Sequence, residues 1–477
     1  MILSEDELER VISKALDAGA SYAEARLHCS RSSTFLVKNT ALVGAKESSS
    51  RGVAFRVIVD GALAFSSITL PAGRDELYKT MLDAVSKAKA LSWSMKRRVE
   101  FSRERLGRAS YRVYERKPLD SMSDNEKIEF LREVCNKAKG AVGEADMPVI
   151  SVEYGELVEE KLYVNSDGAV VSSTTPRLVV EYAMTLKSGS EFVNRIYTYT
   201  GTGGLELIRE WRLPESIEDE ASRLEKVLLK AKTPPRGKLD VVFGSEVVGL
   251  IVHESCVHPC EADRVLGREA AQAGESFIPK RVGVGDRIGG AEATVIDDPT
   301  IPGSAGFYLY DDEGVPARPK YLYLKGRVNE LLHNRWTARV YGVSSNGSAR
   351  AADYKSEPIV RMSNTYLEPG DYGFDELIED VKLGVYIKSY MEWNIDDERW
   401  SQRYVGLEAY AIVDGEITYP VKNPVVEFTT REFYSKLDAR TKKLEFHAGL
   451  CGKGEPAQGI PVWLGGPEVR VRGLLVR

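Results

Sequence analysis

Leu250-Ile-Val-His253-Glu254-Ser-Cys-Val-His258-Pro259-Cys-Glu261-Ala-Asp263 holds two of the five histidines of the chain, with a carboxylate beside the first. Neutral imidazole is the commonest transition-metal ligand, and a glutamate beside a metal is the usual base for hydrolysis. The spacing is H-E-x-x-x-H, so on an ideal α-helix the two rings would lie about 140° apart, too far to share one ion. The helix must therefore bulge or end between them, and Pro259 favours an ending, because the residue before proline avoids the α region. Two histidines that merely satisfy a helix end are the alternative.

The composition indicates a soluble globular protein. A chain of 477 residues has room for two or three domains. A net charge of −6 and a pI near 5.7 give no reason to expect nucleic acid or an anionic membrane as a partner. The first ten residues lack the pattern of a signal peptide, no apolar run approaches the ~20 residues of a membrane span, and the cysteines are few and odd in number. We therefore expect a cytoplasmic protein without a disulfide framework.

Local signals predict an α+β fold. Capping-box spacings at Ser4 and Ser123 each begin an amphipathic helix, and Asp60-Gly61 and Asp167-Gly168 each predict a hairpin. Helix, strands and hairpin thus occur in the same order twice, which leaves an internal repeat open. The segment Lys232-Thr-Pro-Pro-Arg-Gly237 predicts a domain boundary.

We therefore expect an amino-terminal region with mixed helices and strands at 1–235, divided at 112/113 if the repeat is real. A strand-rich domain should occupy 236–477 and carry the metal-binding helix. There Ser245 is expected to cap the helix that delivers His253, and Gly249 to permit a close backbone approach. Further helices are expected at about 374–382 and 264–273.

A catalytic zinc site needs three protein ligands, so one more residue must join the two histidines. The open candidates are Cys256, Cys260, Glu261, Asp263, the remaining histidines and a distant residue such as Cys451. Cys451 is flanked by glycines, which suits an exposed ligand, although a buried loop cysteine is the plainer interpretation. The acidic run Asp311-Asp312-Glu313 predicts a solvated hairpin turn.

An ordered set of segments resembles the TldD/PmbA family of metallopeptidases, and its TldD branch in particular. The segments are His253 to Asp263, Tyr310-Asp-Asp-Glu-Gly314, Val360-Arg-Met-Ser-Asn364-Thr-Tyr366, Pro420-Val-Lys422 and Cys451-Gly-Lys-Gly454, with Tyr163-Val-Asn-Ser-Asp-Gly168 upstream. The resemblance implies a cytoplasmic metallopeptidase with one Zn²⁺ per chain, held by His253, His258 and Cys451, with Glu254 as the catalytic base. It also implies pairing with a PmbA-type chain, also called TldE. Two departures are Val257, where the family usually has glycine, and the segment 388–393, which is commonly rich in glycine.

The resulting hypothesis is a zinc peptidase acting on unfolded or flexible polypeptides. Arg361, Asn364 and Tyr366 are candidates to line the peptide cleft, with a structural strand role as the alternative. Glu261 and Asp263 are candidates to orient the histidine rings from outside the metal shell. Because such an activity endangers other proteins, we expect a homodimer or a heterodimer with a PmbA/TldE-like chain that encloses the site. The competing hypothesis is a non-catalytic assembly subunit whose structural metal takes Cys256 or Cys260 as a fourth ligand.

Overall fold

The amino-terminal part of the chain builds one seven-stranded sheet, in a computed structural model that describes residues 3–269 and 274–477. Its strands are β1 (Tyr22–Lys38), β2 (Ala41–Val59), β3 (Ala62–Thr69), β4 (Arg108–Arg112), β5 (Asp146–Asn165), β6 (Val170–Ser188) and β7 (Glu191–Thr202). They run in the order β3-β2-β1-β5-β6-β4, with β7 also pairing with β6. Asp60-Gly61 and Asp167-Gly168 form the two hairpin turns that the sequence predicts.

Each half of this sheet is covered by its own pair of long helices. The helices are α1 (Glu5–Asp17), α2 (Arg74–Ser92), α3 (Asp124–Gly140), α4 (Glu206–Glu210) and α5 (Leu213–Lys230), with a 3₁₀ turn at Leu119–Ser121. The capping boxes at Ser4 and Ser123 are present, which confirms both predicted helix starts. The first two long helices and β1–β3 enclose one apolar cluster, and α3 and α5 enclose another against β5 and β6. The division at 112/113 and the boundary near 235 stay predictions.

A nine-stranded sheet forms the centre of the carboxyl-terminal part. Its strands are β8 (Gly237–Phe243), β15 (Leu383–Ile387), β16 (Tyr390–Ile395), β17 (Ser401–Gly406), β18 (Ala409–Val413), β19 (Glu416–Pro420), β20 (Val425–Thr429), β21 (Leu437–Arg440) and β24 (Val469–Val476). They run in the order β16-β17-β20-β24-β8-β15-β18-β19, with β21 beside β24. The segment 388–393 therefore leads into the edge strand β16.

A six-stranded sheet packs beside it in the order β11-β10-β9-β14-β23-β22. Its strands are β9 (Val295–Asp297), β10 (Lys320–Leu324), β11 (Arg327–Val328), β14 (Asn364–Leu367), β22 (Glu445–Lys453) and β23 (Gln458–Gly466), and β12 (Ala349–Arg350) pairs separately with β13 (Ile359–Val360). The helices here are α6 (Ser245–Val252), α7 (Ala262–Val265), α8 (Arg335–Tyr341), α9 (Phe374–Ile378) and α10 (Thr430–Lys436). The helix expected at 374–382 is thus shorter, and residues 270–273 of the one expected at 264–273 lie outside the described residues. Among the described residues, no helix has both the length and the apolar character needed to cross a membrane.

Helix α6 positions the candidate site because it packs directly on the six-stranded sheet. A Cβ on Gly249 would lie 2.8 Å from the carbonyl carbon of Leu464 on β23, which confirms the expected close backbone approach. Ser245 is the first helical residue and not the cap, because Gly244 takes the N-cap position. The Ser245 hydroxyl instead bonds Glu445 and His447 on β22.

The acidic run Asp311-Asp312-Glu313 lies between the two parts of the chain. It forms the predicted turn between the bridged residues Tyr310 and Pro316, but it is buried, so the prediction that it is solvated is wrong. The exposed fractions of the three residues are 5%, 8% and 0%. Lys161 on β5 pairs with Asp312 at 3.0 Å, and Arg56 on β2 pairs with Glu313 at 2.7 Å. Buried carboxylates persist when paired with cations from another segment. These ion pairs join the amino-terminal sheet to the carboxyl-terminal part.

Candidate metal centre

The two histidines of the opening segment are brought together by a π-helical turn. Helix α6 continues without a break into this turn at His253–Val257, and the His258 amide donates to the His253 carbonyl at 3.3 Å. The i→i+5 bond winds five residues into about one turn, so the rings lie on the same side, with centroids 4.6 Å apart. Of the two alternatives, the bulge is therefore correct and the favoured ending is wrong. His258 keeps φ −59° and ψ −44°, in the α region despite Pro259.

Cys451 completes a group of three side chains that could hold a metal ion, here called the metal-binding group. It lies on β22, the edge strand of the six-stranded sheet, and its Sγ is 3.3 Å from His258 Nε2. One donor atom each from His253, His258 and Cys451 lies within 4.8 Å of the others, and all three residues are buried. Burial opposes the thiolate, but His258 and Arg361 outweigh it and lower the pKa of Cys451. A lowered thiol pKa favours the anionic form that binds metals.

Zinc fits these residues. Imidazole and thiolate are ligands that zinc takes, and a zinc ion held by these three residues would have one position left for water. His253 Nδ1 is buried with no hydrogen-bond partner among the described residues, which is costly without a ligand to satisfy it. Burial lowers the pKa of His253, and it lowers that of His258 to about 4, so both rings are held in the neutral form that metals require.

Glu261 supports His258 from behind. Its carboxylate is fully buried and accepts from His258 Nδ1 at 3.0 Å and from Arg264 Nε at 3.1 Å. Burial acts to raise the pKa of Glu261, but Lys453, His258 and Arg264 outweigh it and hold that pKa well below its ordinary range. A carboxylate on the second ring nitrogen fixes the tautomer and leaves Nε2 for the metal. Asp263 does not bond either histidine and instead accepts from Lys453 Nζ at 2.7 Å.

Lys453 is a residue of the site that the sequence-based predictions did not include, although its spacing from Cys451 could have indicated it. Lys453 is two residues after Cys451 on β22, and alternate residues of a strand share one face. Its Nζ is buried and lies 3.3 Å from Glu261, 2.7 Å from Asp263 and 2.8 Å from the carbonyl of Val360. One lysine therefore holds two of the three acidic residues of the opening segment, Glu261 and Asp263.

Glu254 is 4% exposed, and its Oε2 atom is in ion-pair contact with the guanidinium of Arg399. Arg399 lies in the tight connection between β16 and β17, with φ +63°, a left-handed conformation that non-glycine residues rarely adopt. Strained backbone of this kind clusters at functional sites. No sequence signal links the two residues, because they are 145 positions apart.

The three residues considered for the peptide cleft lie in and beside β14. Arg361 is fully buried and donates to the carbonyls of Cys451 on β22 at 2.6 Å and Gln458 on β23 at 2.8 Å, which ties the two strands together near Cys451. Asn364 is also fully buried and bonds backbone groups of Gly306 and Asp298. Tyr366 is half-buried against the ring of Phe446. Their placement favours the structural alternative, and a substrate contact stays a prediction.

The two other cysteines of the opening segment do not join the metal-binding group within the part of the chain that the structure describes. Cys256 is fully buried, and burial, together with Cys260, raises its pKa well above the ordinary value. A buried protonated thiol is a small apolar group rather than a ligand. Among the described residues, the group therefore has no fourth protein ligand of the kind that a closed structural site requires.

Comparison with known proteins shows that consecutive parts of the chain are similar to the domains of one metallopeptidase family. Three family models match in succession: PmbA/TldA metallopeptidase domain 1 at residues 23–92, its central domain at 117–229 and its C-terminal domain at 236–477. A metalloprotease of Methanothermobacter thermautotrophicus is 32% identical over 95% of both chains. A zinc metalloprotease TldD homolog of Saccharolobus solfataricus is 29% identical over 52% of this chain and 53% of its own.

Solved structures share the fold. TldE from Thermococcus kodakarensis superposes with a TM-score of 0.77 at 16% identity, covering 98% of this chain and 99% of its own. A putative modulator of a DNA gyrase from Thermotoga maritima gives a TM-score of 0.78 at 18% identity, covering 99% of this chain and 100% of its own. These similarities confirm the α+β fold expected from the sequence.

Proposed function

We propose that this chain, which belongs to the PmbA/TldA metallopeptidase family, is a zinc-dependent peptidase that hydrolyses unfolded or flexible polypeptides. The observation that carries the proposal is the buried group of His253, His258 and Cys451, with the buried Glu254 next to His253 in the chain. Relatives along the chain's full length are named metalloproteases, which supports the general class. One zinc ion per chain is the expected content.

His253, His258 and Cys451 would hold the zinc ion, and Glu254 would transfer the proton of the attacking water. When bound, zinc supplies the Lewis acidity that activates water and polarises a peptide carbonyl. Glu254 accepts the proton of the attacking water and then delivers it to the departing amine. Arg399 holds one carboxylate oxygen of Glu254, which leaves the other oxygen to take the proton.

Strand β22 offers a way to bind extended peptides. It ends the six-stranded sheet, pairs only with β23 among the described residues, and carries Cys451. An extended segment that adds to such an edge is held by main-chain hydrogen bonds, largely independent of its side chains. Substrate added along β22 would pass directly beside the zinc ligands, and only unfolded or flexible segments can adopt that conformation.

A dimer is proposed to enclose the site, either with a second copy or with a PmbA/TldE-like chain. Large apolar side chains are exposed at two places on the amino-terminal sheet, with Leu42 and Val43 beside the β1–β2 turn and Phe192 and Ile196 on β7. Exposed apolar groups of this kind mark protein interfaces. All five cysteines are free, which supports the proposed cytoplasmic location. Light scattering on the chain alone, and then with a PmbA/TldE-like chain, measures the oligomeric state. A monomer that is fully active in both cases would contradict the proposed dimer.

The decisive experiment compares Glu254→Gln with wild type on an unfolded casein-like substrate. Loss of the base should lower kcat by about 10²–10⁴-fold, while zinc content stays at about one per chain because no ligand is changed. Glu392→Gln is the matched control, since that glutamate is 51% exposed on β16 and should leave the rate unchanged. Wild-type activity in Glu254→Gln would refute the mechanism. A fourth protein ligand on the zinc would instead favour the non-catalytic subunit.

A further inference from the structure

A cavity of about 50 Å³ lies between the two parts of the chain. Strands β1, β5 and β6 of the amino-terminal sheet line one side of it. The segment 307–312 and Arg350 of the carboxyl-terminal part line the other. None of its lining residues belongs to the metal centre or contacts Glu254.

Four cationic side chains line this cavity: Arg26, Lys161, Arg177 and Arg350. Two of them have carboxylate partners that also line it, since Lys161 pairs with Asp312 and Arg177 pairs with Glu159. The third carboxylate, Asp311, is occupied by the backbone amides of Glu313, Val315 and Ala349. Within the described part of the chain, two positive charges are therefore left without a carboxylate partner.

Arg26 and Arg350 are these two residues, and both are buried, with exposed fractions of 1% and 8%. Arg26 donates through Nη2 to the carbonyls of Asp353 and Ser356, at 3.1 and 2.6 Å. Its Nη1 atom has no partner among residues 3–269 and 274–477. Arg350 donates to the carbonyls of Met362 at 2.8 Å and Pro461 at 3.1 Å.

Carbonyl oxygens satisfy hydrogen bonds but leave the net charge of a buried guanidinium uncompensated, which is costly in the protein interior. The lowered pKa values of Arg177 and Arg350 reflect this cost. Burial and the charge of Arg350 lower the pKa of Arg177 to about 9, and burial lowers that of Arg350 as well. A counter-anion in the cavity would remove this cost.

We propose that the cavity binds one small oxyanion, of the phosphate or carboxylate class, between the guanidinium groups of Arg26 and Arg350. Arginine is the preferred residue for such anions because its fork presents parallel donors. A single water molecule needs about 10–15 Å³ of cavity volume. The cavity of about 50 Å³ therefore has room for roughly four oxygen atoms. Because Arg26 comes from β1 and Arg350 from β12, the bound anion would tie the two parts of the chain together.

The test is calorimetric titration of the full chain with inorganic phosphate, with chloride at equal ionic strength as the reference. We expect saturable binding of one phosphate per chain, weakened about tenfold or more in Arg26→Met and in Arg350→Met. Arg31→Gln is the matched control, because Arg31 lies on the same strand with its side chain 63% exposed, and it should bind like wild type.

Acetate titrated in the same way distinguishes the two sources of the anion. Tighter binding of phosphate assigns the site to a free inorganic ion, and tighter binding of acetate assigns it to a carboxylate such as that of a peptide. Crystals grown with arsenate provide a measurement that needs no variant, with an anomalous peak expected in the cavity. Absence of saturable binding by both anions, an unchanged affinity in both Met variants, or a cavity without that peak would each overturn the proposal.

Discussion

Replacing Gly249 with alanine should destabilise the protein and disturb the metal centre together. Gly249 lies in α6, one turn before His253, where α6 touches β23. A Cβ there would meet three backbone atoms, the carbonyl carbon of Leu464 at 2.8 Å and the Leu464 oxygen and Gly465 nitrogen at 2.9 Å. Backbone atoms of a paired strand cannot rotate away as the end of a flexible side chain can. Helix and sheet must therefore separate.

The expected change in the free energy of unfolding is the difference between two opposing effects. Ordinary contact begins near 3.4 Å, so the closest approach must lengthen by about 0.6 Å, from 2.8 Å. Overpacking of this kind costs about 2–3 kcal/mol, and the better helix propensity of alanine offsets about 1 kcal/mol. The free energy of unfolding should fall by about 1–2 kcal/mol. Because His253 moves with the helix while Cys451 stays on β22, activity should fall by about tenfold, since catalytic geometry tolerates only about 0.5 Å.

Urea unfolding and peptidase rates measured on the same preparations test this reasoning. Gly140→Ala is the control, because Gly140 ends α3 and a Cβ added there would meet no neighbouring atom within 4 Å. That variant should gain about 0.5–1 kcal/mol, so the two substitutions are expected to have opposite signs. A Gly249→Ala protein as stable and as active as wild type would refute the argument.

Three further predictions concern the groups around the site and the buried histidines. Arg399→Met should lower kcat by about tenfold with KM and zinc content unchanged, and Arg399→Lys should recover part of it; an unchanged kcat in Arg399→Met contradicts the positioning role. Glu261→Gln should weaken zinc binding by about 10–100-fold, and equal affinity would show that Glu261 does not orient His258. Burial lowers the pKa of His333 from its ordinary 6.5 to about 4. The folded protein keeps His333 neutral, whereas the unfolded chain protonates it below about pH 6.5. The free energy of unfolding should therefore fall as the pH drops from 6.5 towards 4, by about 2 kcal/mol at pH 5. Urea unfolding at pH 7 and 5 measures this, and His333→Gln should show a smaller pH dependence; equal dependence contradicts the assignment.

The parts of the fold that the sequence predicts well rest on local chemistry. Capping boxes at Ser4 and Ser123 and the Asp60-Gly61 turn act within a few residues, so the sequence alone identifies them. Gly249 was also identified correctly, because a glycine inside a helix usually marks a close neighbour. Spacing alone could not decide between a bulge and an ending at His258. The turn depends on packing of α6 against β23, which overrides the preference of a residue that precedes proline.

The features that the sequence does not reveal depend on partners far along the chain. Asp311 to Glu313 resembles an exposed acidic turn until Lys161 and Arg56 are placed beside it. The contact of Arg399 with Glu254 likewise arises only from the folded sheet. The ligand set itself came from the resemblance to a family and not from spacing, since several candidates for the third ligand were open. Long-range pairs of this kind leave no local pattern.

The separation of the proposed zinc ligands along the chain sets when the proposed centre can form. His258 and Cys451 are 193 positions apart, and within the described residues β22 pairs as a strand only with β23, which ends at Gly466. On a ribosome, the two histidines emerge long before the thiol and its neighbouring strand. Zinc that reaches the nascent chain can meet two ligands but not three. The proposed centre can therefore form only after β22 and β23 have been synthesised, so a chain that has not yet reached Cys451 would lack the proposed activity.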